Sequence, residues 1–184
     1  MSRPVQAKRP SPSITPVEGA WSAKMDRLRS RVLPQKRLRV CDDKELREQH
    51  EEAEQAARRA RFVAEANPGD ELAASQHADA DSARDQALSA LDAASEFLTF
   101  RALPRPVLEE VIAEHPPSEQ QAEEGAIFNA DTFPAALVSA ASVDGMSREE
   151  AEELLNGWSA PDANALWDAA WQIQQESRVE LGKG

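Results

Sequence analysis

The sequence predicts an all-α protein in which a long Ala-rich antiparallel helical hairpin is joined to a compact bundle of short helices and preceded by a disordered basic N-terminal arm. Alanines repeat at heptad spacing in the hairpin region, and prolines and arginines crowd the first 35 residues. All aromatics except Trp21 and Phe62 lie between residues 97 and 177. A buried large apolar side chain contributes about 1.5–3 kcal/mol, so the core is expected there. The predicted segments are the arm (residues 1–35), a short strand-like segment with the hairpin (36–103), the compact helical domain (104–177) and a flexible tail (178–184).

The arm, residues 1–35, contains five prolines and is predicted to be disordered. The first 40 residues carry ten Lys/Arg against two acids, whereas residues 41–184 carry eleven against thirty-one. The acidic body argues against nucleic acid as the main partner, because phosphate contacts need a basic face. The arm is interpreted as a solvated tail, and contact with RNA, DNA or an acidic protein surface stays open.

Two short elements are predicted before the hairpin. A helix is expected over residues 20–32, where four apolar residues share one helical face: Trp21, Met25, Leu28 and Val32. The alternation in KRLRVCDD, residues 36–43, indicates a brief strand, although no second strand is evident to pair with it.

The hairpin is predicted from two heptad-spaced stretches. Asp42 or Asp43 caps the first helix, whose seam is Leu46, His50, Ala53, Ala57, Ala60 and Ala64. Pro68 ends that helix at Asn67, and Asp70 caps the second helix after a tight turn. Two series mark the seam of the second helix, which is expected to run on toward Phe100: Ala73, Ala80, Ala87 and Ala94, and Gln76, Ala83, Ala90 and Phe97. Small seam residues bury little area, so the hairpin is expected to be marginally stable, with an exposed end prone to local opening.

Four short helices are predicted after the hairpin. Pro106 opens the first and His115-Pro116-Pro117 ends it. Residues 118–126 are predicted to be a solvated loop, and a helix follows from Asp131 or Thr132. Ser147 with Glu150 forms a capping box for the third helix, and the last begins at Ser159-Ala160-Pro161-Asp162.

Chemical motifs are scarce. The sequence has no Gly-rich phosphate loop, and His50-Glu51-Glu52-Ala53-Glu54 lacks the second histidine of a zinc motif. Paired acids fit solvated helix faces better than acid–base catalysis. No catalytic, cofactor-binding or metal-binding residue is therefore predicted, no cofactor is expected, and the protein is interpreted as a non-enzyme.

The expected location is the cytoplasm. The single cysteine, Cys41, precludes an internal disulfide and fits a reducing compartment. No apolar run approaches the ~18 residues of a membrane span. No signal peptide is expected, since no apolar segment follows the N-terminal charges.

The ordered motifs resemble those of tail assembly chaperones from long-tailed phages (siphoviruses) of actinobacteria. The matching features are a short helix before His115-Pro116-Pro117, an acidic spacer, the turn from Asn129 to Pro134, the Ser147 to Glu150 helix start, and a last helix with Trp167 and Trp171. The resemblance covers roughly residues 36–180. It implies a protein of the host cytoplasm that binds the helical tape measure protein, keeps it soluble during tail assembly, and is absent from the finished virion.

Two other functions stay open. A structural tail or head–tail component would have the same composition, and peptides in purified virions would favour it. A nucleic-acid-binding regulator would use the basic arm, and its binding would weaken steeply with salt.

Partner contact is predicted on the exposed part of the hairpin and on a root segment defined as Phe97, Leu98, Phe100, Arg101 and Leu103. The alternative is that the apolar members of this segment are core residues, because clustered aromatics usually pack inward. Self-assembly is a further expectation, and oligomeric state stays open.

The resemblance also implies two translation products, the longer made by a −1 ribosomal frameshift. Leu181-Gly182-Lys183 can be encoded with G GGA AAG, a permitted slippery heptamer. This chain is therefore predicted to be the short product, with the longer form as a partner. The nucleotides under codons 181–183 test this expectation directly.

Overall fold

The structure is a computed structural model and describes residues 16–179. Residues 1–15 of the predicted disordered arm and the predicted slippery site at 181–183 lie outside the described residues. The chain divides into two compact units at the boundary between Leu33 and Pro34. The first contains helix α1 (Pro16–Arg29), which confirms the predicted short helix. The disorder predicted for residues 1–35 therefore does not extend over α1.

The second unit is mainly helical, as predicted. Its helices are α2 (Lys44–Ala66), α3 (Glu71–Ala93), α4 (Arg105–Ala113), α5 (Glu119–Glu123), α6 (Phe133–Ala141), α7 (Arg148–Gly157) and α8 (Ala160–Gln175). Two strands, β1 (Gln35–Val40) and β2 (Glu96–Arg101), complete the unit.

Strand β1 confirms the brief strand predicted within residues 36–43, whereas β2 was not predicted and adds a small sheet to the all-α prediction. The two strands pair antiparallel, with Lys36 opposite Phe100 and Leu38 opposite Leu98. The expectation that α3 continues toward Phe100 is wrong, because α3 ends at Ala93 and β2 follows. Two causes explain the difference. The segment EFLTFR is rich in residues that favour strands. The antiparallel pair of α2 and α3 also brings the chain back beside β1, which then pairs with β2.

Helices α2 and α3 form the predicted hairpin, each with 23 residues and therefore about 34 Å long. Asp43 Oδ1 accepts a hydrogen bond from Leu46 N at 3.0 Å, and Asp70 Oδ1 accepts one from Leu72 N at 2.9 Å. Both predicted N-caps are thus confirmed. In the tight turn, Gly69 has φ 97°, a left-handed conformation that glycine adopts without a Cβ clash.

The hairpin seam agrees with the prediction on α2 and differs on part of α3. All six predicted α2 seam residues are buried or half-buried, whereas Gln76, Ala83 and Ala90 of α3 are exposed. Ala94, also predicted for the seam, is exposed and forms the C-cap just beyond α3. The seam of α3 instead follows a 4-3-4-3-4 line: Ala73, His77, Ala80, Arg84, Ala87 and Leu91. Leu91 is 3% exposed. Its burial explains this seam, because a helix that turns Leu91 inward turns the series of Gln76, Ala83 and Ala90 toward solvent.

The core lies where the aromatics cluster. Its largest fully buried side chains are Phe100, Phe133, Leu137, Leu166, Ile173 and Val138. Helix α6 contacts α4, α7, α8 and β2, and β1 adds contacts to α8. In contrast, α2 and α3 pack on each other and make few contacts with the rest of the unit.

Side-chain capping fixes the starts of three of the short helices, α5, α7 and α8, whereas α4 and α6 begin without a side-chain cap hydrogen bond. Ser147 N donates to Glu150 Oε2 at 2.7 Å and Glu150 N donates to Ser147 Oγ at 3.2 Å, which confirms the predicted capping box. Ser159 caps α8 as predicted. The expected loop over 118–126 contains α5 instead, because Ser118 and Gln121 form a second capping box.

Candidate partner-binding surfaces

The root segment lies in β2 and just after it, at the base of the hairpin. Leu98 and Leu103 are half-buried against the core, and Arg101 is exposed. The ring of Phe97 is half-buried, and the Arg37 guanidinium lies 3.9 Å from its centroid. Leu103 N donates to Gln174 Oε1 at 2.8 Å, which ties the segment to α8.

Phe100 corrects one expectation for this segment. Its side chain is 0% exposed and belongs to the central hydrophobic cluster. The core alternative therefore holds at this position, and Phe100 offers no surface to a partner in the folded chain. Phe97, Leu98, Arg101 and Leu103 keep accessible surface, so partner contact at the root stays a prediction for these four residues.

The distal end of the hairpin carries an exposed apolar cluster, defined here as the hairpin tip: Phe62, Val63 and Leu72. Their exposed fractions are 73%, 45% and 67%. Phe62 and Val63 lie in the last turns of α2, and Leu72 lies in the first turn of α3. An exposed hairpin end was predicted from the sequence, but these three residues were not. Their position off the Ala seam is the signal that could have identified them.

A groove of about 680 Å³ lies among α6, α7 and α8, and it is called the aromatic groove below. Its apolar lining is Phe128, Ala130, Pro134, Ala135, Leu155, Ala163 and Trp167. Its polar lining comes from two carboxylates, Asp131 and Glu152, and from the amides of Asn156 and Asn164. No lysine or arginine lines it. Trp167 was expected in the last helix, but the groove itself was not predicted from the sequence.

Stacked rings form one wall of the groove. Phe128 stacks on the buried Phe133 with centroids 4.1 Å apart, and Trp167 stacks on Trp171 at 5.4 Å. Phe128 meets Trp167 edge to face at 6.0 Å. Such packed rings hold the lining in place before any partner arrives.

His115 anchors the loop that carries Phe128. Its Nδ1 lies 2.9 Å from Thr132 Oγ1, and its carbonyl oxygen accepts a hydrogen bond from Asn129 N at 2.8 Å. Asn129 Oδ1 in turn accepts bonds from Asp131 N and Thr132 N. The His-Pro-Pro and Asn-x-Asp-Thr-Phe-Pro motifs thus position the groove wall.

The described residues contain no group of three or more His, Cys, Asp or Glu side chains arranged to hold a metal ion. The pKa of Glu54 is lowered mainly by its hydrogen bond to Arg58, and that of Glu150 by its bonds with Ser147. Both shifts therefore arise from contacts that stabilise helices. No helix between residues 16 and 179 is long and apolar enough to cross a membrane.

Comparisons of this chain with known protein families, with curated proteins and with solved structures find no match.

Proposed function

We propose that this protein is a phage tail assembly chaperone, which binds the tape measure protein and keeps it soluble in the host cytoplasm while the tail is assembled. The observation that carries the proposal is the hairpin, whose two 23-residue helices pack on each other and leave the hairpin tip exposed. The ordered motifs quoted above support it independently. In this proposal the protein is not an enzyme, stays out of the virion, and also binds the longer form of itself.

The hairpin suits a long helical client for physical reasons. An extended pair of helices presents apolar side chains at its tip to a partner without unfolding. Helices α2 and α3 together carry eleven acidic and six basic residues, which keeps a complex with an apolar client charged and soluble.

The motifs that carry the resemblance have structural roles in this chain. His115 and Asn129 hold a loop, and Ser147 begins a helix. They therefore support a common framework, and recognition of the client belongs to the exposed surfaces.

Co-expression with the tape measure protein encoded by the same genome tests the proposal. The chaperone is expected to raise the soluble fraction of that protein and to co-purify with it. A chain with Phe62→Ser and Leu72→Ser should lose this effect, whereas Ala78→Ser and Ala90→Ser, at exposed α3 positions away from the tip, should keep it. Unchanged solubility with the native chain would overturn the proposal. Abundant peptides of this chain in purified virions would instead favour the structural tail component.

A further inference from the structure

We propose that the aromatic groove is a docking site for an amphipathic helix whose apolar stripe is flanked by lysine or arginine. The proposal rests on the proposed function in one respect, since the helix would belong to the client protein. The groove itself is argued from its shape, its lining and its charge.

The shape of the groove fits a helix. Its walls are themselves helices, and α7 contributes Glu152, Leu155 and Asn156, which are neighbours on one helical face. Ridges of this kind accept the side chains of a packed helix. Neither β1 nor β2 lines the groove, so it offers no strand edge that an extended peptide could extend.

The charge of the groove favours a helix that carries basic residues on both sides of its apolar stripe. Asp131 lies before α6 and Glu152 lies on α7, so carboxylates stand on two walls, and both side chains are exposed. Asp131 accepts a bond only from the neutral Gln121 amide, at 3.4 Å, among the contacts of the described residues. Between residues 104 and 177 the chain has fifteen acids and two bases, Arg105 and Arg148. Cations flanking an apolar stripe would therefore meet a complementary field.

A second groove shows why the charge is informative. It lies between β1 and α8, has a volume of about 510 Å³, and is lined by both signs: Arg39, Arg47, Asp42 and Asp162. Such a lining gives no preference for one sign of charge. The aromatic groove has carboxylates alone, which disfavours phosphate groups and anionic lipid surfaces as occupants. Its acidic surroundings equally disfavour the acidic body of a second copy.

Fluorescence anisotropy with a labelled model peptide tests the proposal. The probe is an amphipathic helix of about eighteen residues, or five turns, built from leucine and lysine. A peptide with glutamate in place of every lysine is the matched probe. The full chain is expected to bind the lysine peptide at least about tenfold more tightly than the glutamate peptide, and the difference should shrink as salt rises.

Two variants locate the binding. Asp131→Lys combined with Glu152→Lys should weaken binding of the lysine peptide by about tenfold or more. Glu110→Lys combined with Glu114→Lys makes the same change in net charge at the C-terminal end of α4, outside the groove lining, and should have a much smaller effect. Leu155→Glu should also weaken binding, and circular dichroism checks that each variant is folded. The charge-reversed pair involves exposed residues only, so it keeps the proposal testable if Leu155→Glu unfolds.

Several results would overturn the proposal. These are absent binding of the lysine peptide, equal affinity for both peptides, or equal losses in the groove pair and the α4 pair. A dimer that forms with rising concentration and is abolished by the groove pair would replace the client helix with a second copy. Selective peptide binding without any effect on the tape measure protein would support the groove and count against the proposed function, so the two failures are distinguishable.

Discussion

The hairpin and the compact bundle are both helical, yet they bury very different side chains. The buried apolar residues of α2 and α3 are Ala57, Ala73 and Leu91, whereas the bundle buries Phe133, Leu166 and Ile173 together with many smaller residues. Alanine removes little apolar surface from water, and burial energy scales with that surface. The hairpin, despite its long helices, is therefore expected to be less stable than the bundle of short helices.

This difference has a functional meaning. A region with few buried apolar contacts opens locally at a small cost in free energy. The hairpin tip lies at the end farthest from the bundle and has the most exposed apolar side chains of the hairpin. The bundle, in contrast, packs the rings of the aromatic groove on one another and on the buried Phe133. Under the proposed function, the hairpin would adapt to a client and the bundle would present a preformed surface.

The largest expected difference in stability comes from comparing one substitution in the core with one in the hairpin. Phe100→Ala removes a fully buried ring and should cost about 3–5 kcal/mol in the free energy of unfolding. Phe62→Ala removes a ring that is 73% exposed and should change stability by less than about 0.5 kcal/mol. Urea unfolding followed by circular dichroism measures both values. Similar losses in the two variants would contradict the comparison.

The same two variants sharpen the assignment of function. Phe62→Ala should reduce the soluble fraction of the tape measure protein while the fold is unchanged. Retained client binding in Phe62→Ala would remove the hairpin tip from the candidate surfaces.

A smaller effect is expected inside the hairpin. Ala73 is 4% exposed at the seam, so Ala73→Leu should overpack it at a cost of about 1–3 kcal/mol. Ala78→Leu lies on the exposed face of the same helix and serves as the control. Hydrogen exchange should show faster exchange of α2 and α3 amides in Ala73→Leu, with bundle amides unchanged. Faster exchange throughout the bundle would mean that the two regions unfold together.

The sequence predicted what depends on local chemistry. Asp43, Asp70, Ser147 and Ser159 mark helix starts because their side chains accept nearby backbone N–H groups. The β2 strand was missed because its partner precedes it by some sixty residues, beyond the reach of local patterns. The outward turn of Ala83 and Ala90 was missed for a related reason. Heptad spacing alone does not decide which second series joins the first at the seam, and burial of Leu91 brings in the series of His77 and Arg84.

The candidate surfaces follow the same division. Exposure of the hairpin end could be predicted from its small seam residues, whereas the side chains that fill the tip depend on which face of each helix turns outward. The aromatic groove needs Phe128 and Leu155, which lie in different elements, to meet across the bundle. No pattern of residue spacing in the sequence predicts that these two residues line the same groove.

The smallest expected effect compares one carboxylate from each region. Glu54 in the hairpin bonds to Arg58 Nη2 at 2.6 Å, and Glu150 in the bundle bonds to Ser147 N at 2.7 Å. Both carboxyl pKa values are lowered from 4.5. Their contributions to stability are therefore present above pH 4.5 and lost as pH falls through the lowered values.

Glu54→Ala and Glu150→Ala should thus lower the melting temperature slightly at about pH 7 and have less effect at about pH 3. High salt should then distinguish the effects of the two substitutions on the melting temperature. At about 1 M NaCl the exposed ion pair of Glu54 is screened, so its substitution should become nearly silent. Glu150 accepts a hydrogen bond from a backbone N–H that belongs to a helix start, and its substitution should keep most of its effect. Glu153→Ala, on α7 outside the capping box, is the control. An equal loss of both effects in salt would mean that the bundle and the hairpin are stabilised at these positions by charge alone.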